Sequence, residues 1–302
     1  MAHATTVEPG VILPDKPAGR TPAWIDFLKR LARTKPVGAF GLVVVVLLIL
    51  TALFAPLIAP YEPAAPVGAR LSTPSADHWM GTDNSGRDIF SRVVYGARVA
   101  AAVGFGAVAI STIGAILIGV STGYFGGGFD AIVQRFVDAI MALPGLVLLL
   151  AIVTITGSGL RQLILILGFL GIAGASRIVR SAVLGIRHVQ YLEAARATGA
   201  GHMRVMLRHV LPNIFAPVMV SATVGLGGVI LAEAALSFLG LGISDPNQPT
   251  WGQMLSQARR FIDSDFNYVF WPCLAITLAV FAFNMLGDAL RDLLDPRLRG
   301  SR

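Results

Sequence analysis

Lysine is nearly absent from this 302-residue sequence, occurring only as Lys16, Lys29 and Lys35. No lysine follows a glycine, so the chain has no G-x-x-x-x-G-K-[ST] loop, the usual cradle for ATP phosphates. The one cysteine, Cys273, rules out an intrachain disulfide and a cysteine-rich metal site. No H-E-x-x-H motif occurs, and His3, His78, His188, His202 and His209 are scattered without a third ligand for any pair. Asp83 and Asp88 in "GTDNSGRD" lack the acidic spacing and terminal glutamate of a calcium loop, which leaves turn and helix-capping duties for them. Charge is scarce as well: 14% of residues carry one, against about 25% in ordinary globular proteins. The net charge of +7 is not organised as basic runs interleaved with aromatics, so nucleic acid is not an expected partner. Nothing in this inventory is an active site.

What the chain has instead is apolar residues, 55% of the total with a mean hydropathy of +0.70. They are clustered in runs such as 37–59, which contains no charge, and about 20 such residues cross a hydrocarbon core of roughly 30 Å. The sequence predicts an all-α polytopic membrane protein with six spans: Val37–Ala59, Val99–Thr122, Ala131–Thr156 with a kink at Pro144, Gln162–Ala182, Asn213–Phe238 and Val269–Leu290. The polar, proline-rich residues 1–36 read as a flexible cytoplasmic tail before a retained first span, too late and too long for a signal peptide. Residues 60–95 form a loop on the other side, residues 96–290 the five-span core, and residues 291–302 a second cytoplasmic tail.

Six crossings put both termini on one side, and the basic residues select which. With the N-terminus inside, the inner segments hold sixteen Lys/Arg and the outer ones six, as the positive-inside rule requires. The two outer segments, 60–95 and 240–268, mix turn residues with short amphipathic helical patterns.

Ionisable residues inside spans are few, as their cost of at least about 2.5–3.5 kcal/mol demands. Asp138 and Asp288 sit near cytoplasmic span ends, the latter with Arg291 as a helical partner three residues on. Glu233 is a candidate for lining a translocation path, with local hydrogen bonding as the default. A stand-alone secondary transporter would need more mid-depth charge than this, and no inverted repeat is evident. The glycines of spans two, four and five, with Gly119 and Gly123 as one G-x-x-x-G, are expected to pack helices closely.

One polar segment interrupts the spans: "EAARATGAGHMRVMLRHVLP", Glu193–Pro212. Helix formers precede Gly199 and Gly201, which can turn the chain. An amphipathic stretch then places Met203, Met206, Leu207 and Val210 on one face and Arg204 and Arg208 on another. Pro212 suits the first turn of span five. By physical pattern alone, this is either an interfacial connector held by lipid headgroups or a contact surface for a partner.

The segment closely resembles the EAA signature of ABC-importer permeases. Glu193, Ala194, Ala195, Gly199, Leu211 and Pro212 match it, and the one departure is His209 at an apolar position, with Val210 taking that role one residue later. "GTDNSGRDIFSRVVYGARVA", "GYFGGGFD", "ILAEAALSFLGLG", "PTWGQML" and "FNMLGDALRDLLDPRLR" are similar to successive landmarks of the dipeptide/oligopeptide/nickel permeases, second (DppC/OppC-like) subunit, over residues 20–300. The resemblance implies a type I importer permease fold with a cytoplasmic coupling helix at about 188–210. It also implies a bacterial cell-membrane location, a homologous second permease subunit and an extracytoplasmic binding protein. Two cytoplasmic ATPases, separate or fused, would hold ATP and Mg, and this chain would bind no cofactor. Di- and oligopeptides are the implied substrates, although similar permeases handle nickel, haem and other small solutes.

Overall fold

The computed structural model describes residues 23–263 and 265–294, and every regular element among them is helical. In chain order these are α1 (Ala23–Thr34), α2 (Pro36–Leu53), α3 (Ala55–Ile58), α4 (Ile89–Phe125), α5 (Gly127–Ala142), α6 (Gly145–Thr156) and α7 (Leu160–Ile186). They are followed by α8 (Gln190–Ala197), α9 (His202–Val205), a π-helical turn (Met206–Val210), α10 (Leu211–Asn213), α11 (Phe215–Phe238), α12 (Trp251–Ala258) and α13 (Phe266–Leu294).

Five helices, α2, α4, α7, α11 and α13, are long and apolar enough to cross a membrane, and α5 with α6 supplies a sixth span if the bent pair is one crossing. The kinked span expected at 131–156 is a sharper break than a kink: α5 and α6 meet at 86°. Pro144 has no N–H to donate and holds the preceding residue out of helical geometry. Leu143 is accordingly extended, with φ −84° and ψ 140°. At 12 residues, α6 alone is about 18 Å long, short of a hydrocarbon core of roughly 30 Å. The first span is also divided, into α2 and α3, at Phe54, with Pro56 in the first turn of α3 where its missing N–H costs nothing.

Two further expectations need correction. Residues 1–36 are not all irregular: the second half forms α1, whose Leu31 is buried and lies close to Gly38 of α2. Residues 1–22 and 295–302, with Ser264, lie outside the described residues. Second, α4 begins ten residues before the expected start at Val99. Arg92 and Arg98 dilute the hydropathy there, but Arg92 is 1% exposed and its Nη1 lies 3.5 Å from Asp83 Oδ2. The acidic partner, contributed by the preceding loop, lets the helix continue through a charged turn.

That loop is the "GTDNSGRD" segment, and its aspartates do what turns and caps require. Asp88 caps α4, accepting from Ser91 N–H and Ser91 Oγ at 2.8 Å each, while His78 Nδ1 stands 3.1 Å from its other oxygen. Asp83 is fully buried and accepts from the N–H of Ser85 (2.7 Å) and Arg87 (2.9 Å) and from Arg87 Nε (2.7 Å). Tyr268 Oη, at the start of α13, is shared between Asn84 Oδ1 (3.2 Å) and Gln257 Oε1 (3.1 Å). Trp251 Nε1 of α12 donates to Val93 O at 2.9 Å. These contacts weld the loop, α12 and the ends of α4 and α13 into a cap.

Arg177 and Arg180, which crowd the end of the fourth span in the sequence, are met by α5. Arg180 donates from Nε and Nη2 to the two oxygens of Asp130 at 2.6 and 2.5 Å, and Arg177 pairs with Asp138. At the end of α13 the ion pair is Lys35–Asp292, rather than the anticipated Asp288–Arg291.

The longest helix-to-helix seam runs between α4 and α7, and glycine makes it possible. A Cβ on Gly119 would lie 2.7 Å from Ser176 O and 2.7 Å from Val179 Cβ, and one on Gly123 2.8 Å from Val183 Cβ. In lipid, where apolar burial gives helices no preference for each other over acyl chains, such close approach supplies the van der Waals contact. Gly119→Ala is therefore expected to push α4 and α7 apart and lower stability in detergent by about 1–3 kcal/mol, read as a lower thermal unfolding midpoint. Gly174→Ala, with no heavy atom within 4 Å of the added carbon, should leave the midpoint unchanged.

Candidate functional site

The segment joining α7 to α11 is an elbow built of four short helical pieces, α8, α9, the π turn and α10. Its first piece, α8, ends in a Schellman turn: Gly199 takes φ +81° and the Ala200 N–H donates to Ala195 O at 3.1 Å. A residue with a Cβ is strained at that φ, so glycine here is a conformational requirement. Gly201, by contrast, has an ordinary extended backbone at φ −63°.

After Gly201 the chain does not stay a simple α-helix, and the expected apolar face is corrected accordingly. The π turn at Met206–Val210 adds a residue to one turn. Val205 and Val210, five apart, become the fully buried pair, while Met203 (64%) and Leu207 (59%) are exposed. Of the expected face, Met206 and Val210 do pack in the buried cluster, while Met203 and Leu207 stand outside it. Pro212 lies at the start of the short α10, just before Ile214 interrupts the helix and α11 begins.

The six EAA positions divide by exposure. Glu193, Ala194, Gly199 and Pro212 are exposed, and Ala195 and Leu211 are half-buried. Just before them Leu192 is fully buried, and it packs in one cluster with Val205 and Val210, Val120 and Tyr124 of α4, Val179 and Val183 of α7, and Val218 of α11. Tyr124 Oη also lies 3.1 Å from His202 Nδ1. One side of α8 thus joins an apolar cluster shared with three spans, and the other side is open.

Those same spans border a cavity of about 800 Å³. Its walls are mostly small and uncharged, with Ser111 and Thr112 from α4, Gly171 and Ala175 from α7, and Ser221, Gly225 and Gly228 from α11; Arg291 of α13 is the charged residue in the lining. Sequence reasoning missed this cavity, although the signal was present. Gly225, Gly228, Val229 and Ala232 follow the i, i+3, i+4, i+7 spacing of one helix face. Close packing holds for Gly227, where a Cβ would lie 3.3 Å from Val280 O, but a Cβ on Gly228 would meet nothing within 4 Å. Small size serves two purposes on one helix.

Glu233 is not among the cavity's lining residues. It is 2% exposed, accepts from Ser237 Oγ at 2.6 Å, and has the Thr250 hydroxyl as a second partner. Its local bonds tie α11 to the start of α12. The letters G-x-S-x-G at 119–123 also lie within a span: Ser121 Oγ donates to Leu117 O at 2.6 Å inside α4, with no strand-to-helix turn to expose a nucleophile.

Residues 115–300 match the family described as binding-protein-dependent transport system inner membrane component. Residues 23–75 match the N-terminal transmembrane domain of oligopeptide transport permease C. The chain is 41% identical over 296 residues to a dipeptide transport system permease protein, DppC, of Alkalihalophilus pseudofirmus, covering 97% of this chain and 96% of that one. It is 39% identical over 283 residues to the glutathione transport system permease protein GsiD of Escherichia coli, covering 93% and 92% of the two chains. It is likewise 39% identical over 284 residues to a di/tripeptide permease of Pseudomonas aeruginosa, covering 91% and 93%.

Proposed function

Because the chain belongs to the family of binding-protein-dependent transport inner membrane components, in its DppC/OppC-like branch, we propose that it forms half the wall of a peptide pathway and is driven through its elbow by cytoplasmic ATPases. It is a multi-pass inner membrane protein and a transport subunit rather than a catalytic one. Its named relatives carry dipeptides, di/tripeptides or glutathione, which supports short peptides as the cargo. In this reading a second, homologous permease closes the pathway over the cavity, and a binding protein delivers peptide to the cap. ATP and its Mg reside in the partner ATPases. The excess of Lys/Arg on the elbow side supports a cytoplasmic elbow and termini.

The observation that carries the reading is the two-sidedness of α8. Glu193 and Ala194 are presented outward, while Leu192 on the inner side shares a core with α4, α7 and α11, the three main walls of the cavity. Close-packed interiors transmit displacement instead of absorbing it. A partner that moves the elbow therefore moves the cavity walls, provided that it binds the two arrangements with different affinity.

Cross-linking tests this directly. In a Cys273→Ser background, which removes the one native thiol, Ala194→Cys is expected to cross-link to an ATPase subunit in native membranes. Ser158→Cys, in the turn between α6 and α7 at the far end, should not. Cross-linking at 158 and none at 194 would overturn the coupling assignment.

A further inference from the structure

At the cap end, the turn between α6 and α7 and the segment 243–248 enclose a second pocket of about 440 Å³, which shares no lining residue with the large cavity. Its polar lining comprises Ser158, Arg161 and Gln162 on one side and Ser244, Asp245 and Gln248 on the other. The two sides meet through Ser158 Oγ and Ser244 Oγ, 3.5 Å apart. Arg161 and Asp245 carry opposite charges into one pocket, yet neither forms an ion pair with the other or with any other described residue.

Asp245 is held in place by its own loop. Oδ1 accepts from Asn247 N–H and Oδ2 from Gln248 Nε2, both at 2.9 Å. Each carboxylate oxygen keeps a further lone pair for a donor. Gln248 Oε1, on the same wall, is buried with no donor among the described residues. Across the pocket Arg161 lies in the first turn of α7, where the Gly159 N-cap contributes no side-chain acceptor. The positive end of the helix therefore reinforces the guanidinium.

We propose that this pocket is a receiving subsite for a zwitterionic short peptide, with Arg161 taking the terminal carboxylate and Asp245 the terminal ammonium. The proposal rests on the peptide-importer reading and specifies what the cap recognises in the cargo. Two separated charges of opposite sign, each without a counter-ion, fit a ligand that brings both counter-charges itself. Arg–carboxylate pairing is bidentate and directional, so it fixes one end of the peptide. The ammonium donates to Asp245 at the other end, and the serine hydroxyls border the space between. An extended peptide of two or three residues spans about 7–11 Å, which suits a pocket of this volume. Side chains take no part in this recognition, so peptides of different sequence are accepted alike.

The test measures binding without transport. The full chain, in nanodiscs with its partner permease but without ATPases, ATP or binding protein, is titrated with L-alanyl-L-alanine and with N-acetyl-L-alanyl-L-alanine amide by ligand-observed NMR. Free dipeptide is expected to bind about tenfold or more tightly than the doubly blocked form, because the blocked form offers neither charge-assisted bond. Arg161→Gln and Asp245→Asn should each weaken dipeptide binding by about tenfold or more. Asp245→Glu, which keeps the charge, should retain it and shows that the loop still folds. Equal binding of the free and blocked peptides, or unchanged dipeptide affinity in both neutral variants, overturns the subsite. In a parallel measurement with binding protein added, a loss of its capture in those variants with dipeptide affinity intact also overturns the subsite and makes the pocket a protein-docking point. Failure of the Ala194→Cys cross-link with selective dipeptide binding intact strikes the coupling reading alone, and the reverse pattern strikes the subsite alone.

Discussion

Replacing Gly199 by valine is expected to cut ATP-driven peptide uptake by about tenfold or more, while the chain still inserts and assembles. The size follows from backbone geometry. At φ +81° a residue with a Cβ is held in a left-handed conformation that costs roughly 1–2 kcal/mol, and a β-branched side chain stands at the upper end of that range. Each 1.4 kcal/mol is about tenfold in the population that keeps the turn. The Schellman bond from Ala200 to Ala195 then opens, and α8 with Glu193 and Ala194 loses its fixed bearing on Val205 and Val210 beyond the turn. No heavy atom lies within 4 Å of a Cβ at Gly199, so steric clash is not the cause. Gly201→Ala is the matched control, equally uncrowded and at negative φ, and should transport normally. Uptake in membrane vesicles, normalised to ATPase co-purification, gives the answer, and equal loss in both variants would sink the argument from φ.

The second large effect lies at the other end of the molecule. Asp83→Ala leaves Arg92, 1% exposed, without its buried counter-charge, and breaking one side of a buried pair costs roughly 3–5 kcal/mol. The same substitution releases the N–H groups of Ser85 and Arg87, so the loop loses its internal scaffold together with its charge. The expected result is little folded protein in the membrane and a much lower unfolding midpoint for what remains. Adding Arg92→Met removes the stranded cation and should recover part of the loss, since a well-packed apolar replacement of a buried pair is often tolerated. If Asp83→Ala unfolds at the parental temperature, the cap does not depend on this carboxylate.

The sequence pattern was informative wherever one force acted alone. Long uncharged runs marked five helices, and the spacing of Glu193, Gly199 and Pro212 marked the elbow, because hydropathy and turn chemistry are both local. Boundaries failed where a distant partner intervened. Arg92 reads as the wrong side of a span end until Asp83 is known to lie beside it, and Arg177 and Arg180 do so until α5 supplies Asp138 and Asp130. The elbow's buried face failed in part, and for another reason: one π turn shifts the register, and no residue type announces it. The large cavity was hidden because glycine at a packed interface and glycine beside an empty space look the same until neighbouring helices are in place.

At 37 residues, α4 is about 55 Å long, well beyond a hydrocarbon layer of roughly 30 Å. Its first turn is locked to the aspartate-rich loop by Asp88, and its last turn carries Tyr124 against His202. A single rod thus reaches from one aqueous side to the other and is gripped at each tip. Under the proposed coupling, a load on one face and a push on the other would act on opposite ends of the same beam, and a tilt imposed at one tip would be delivered at the other with no relay between them.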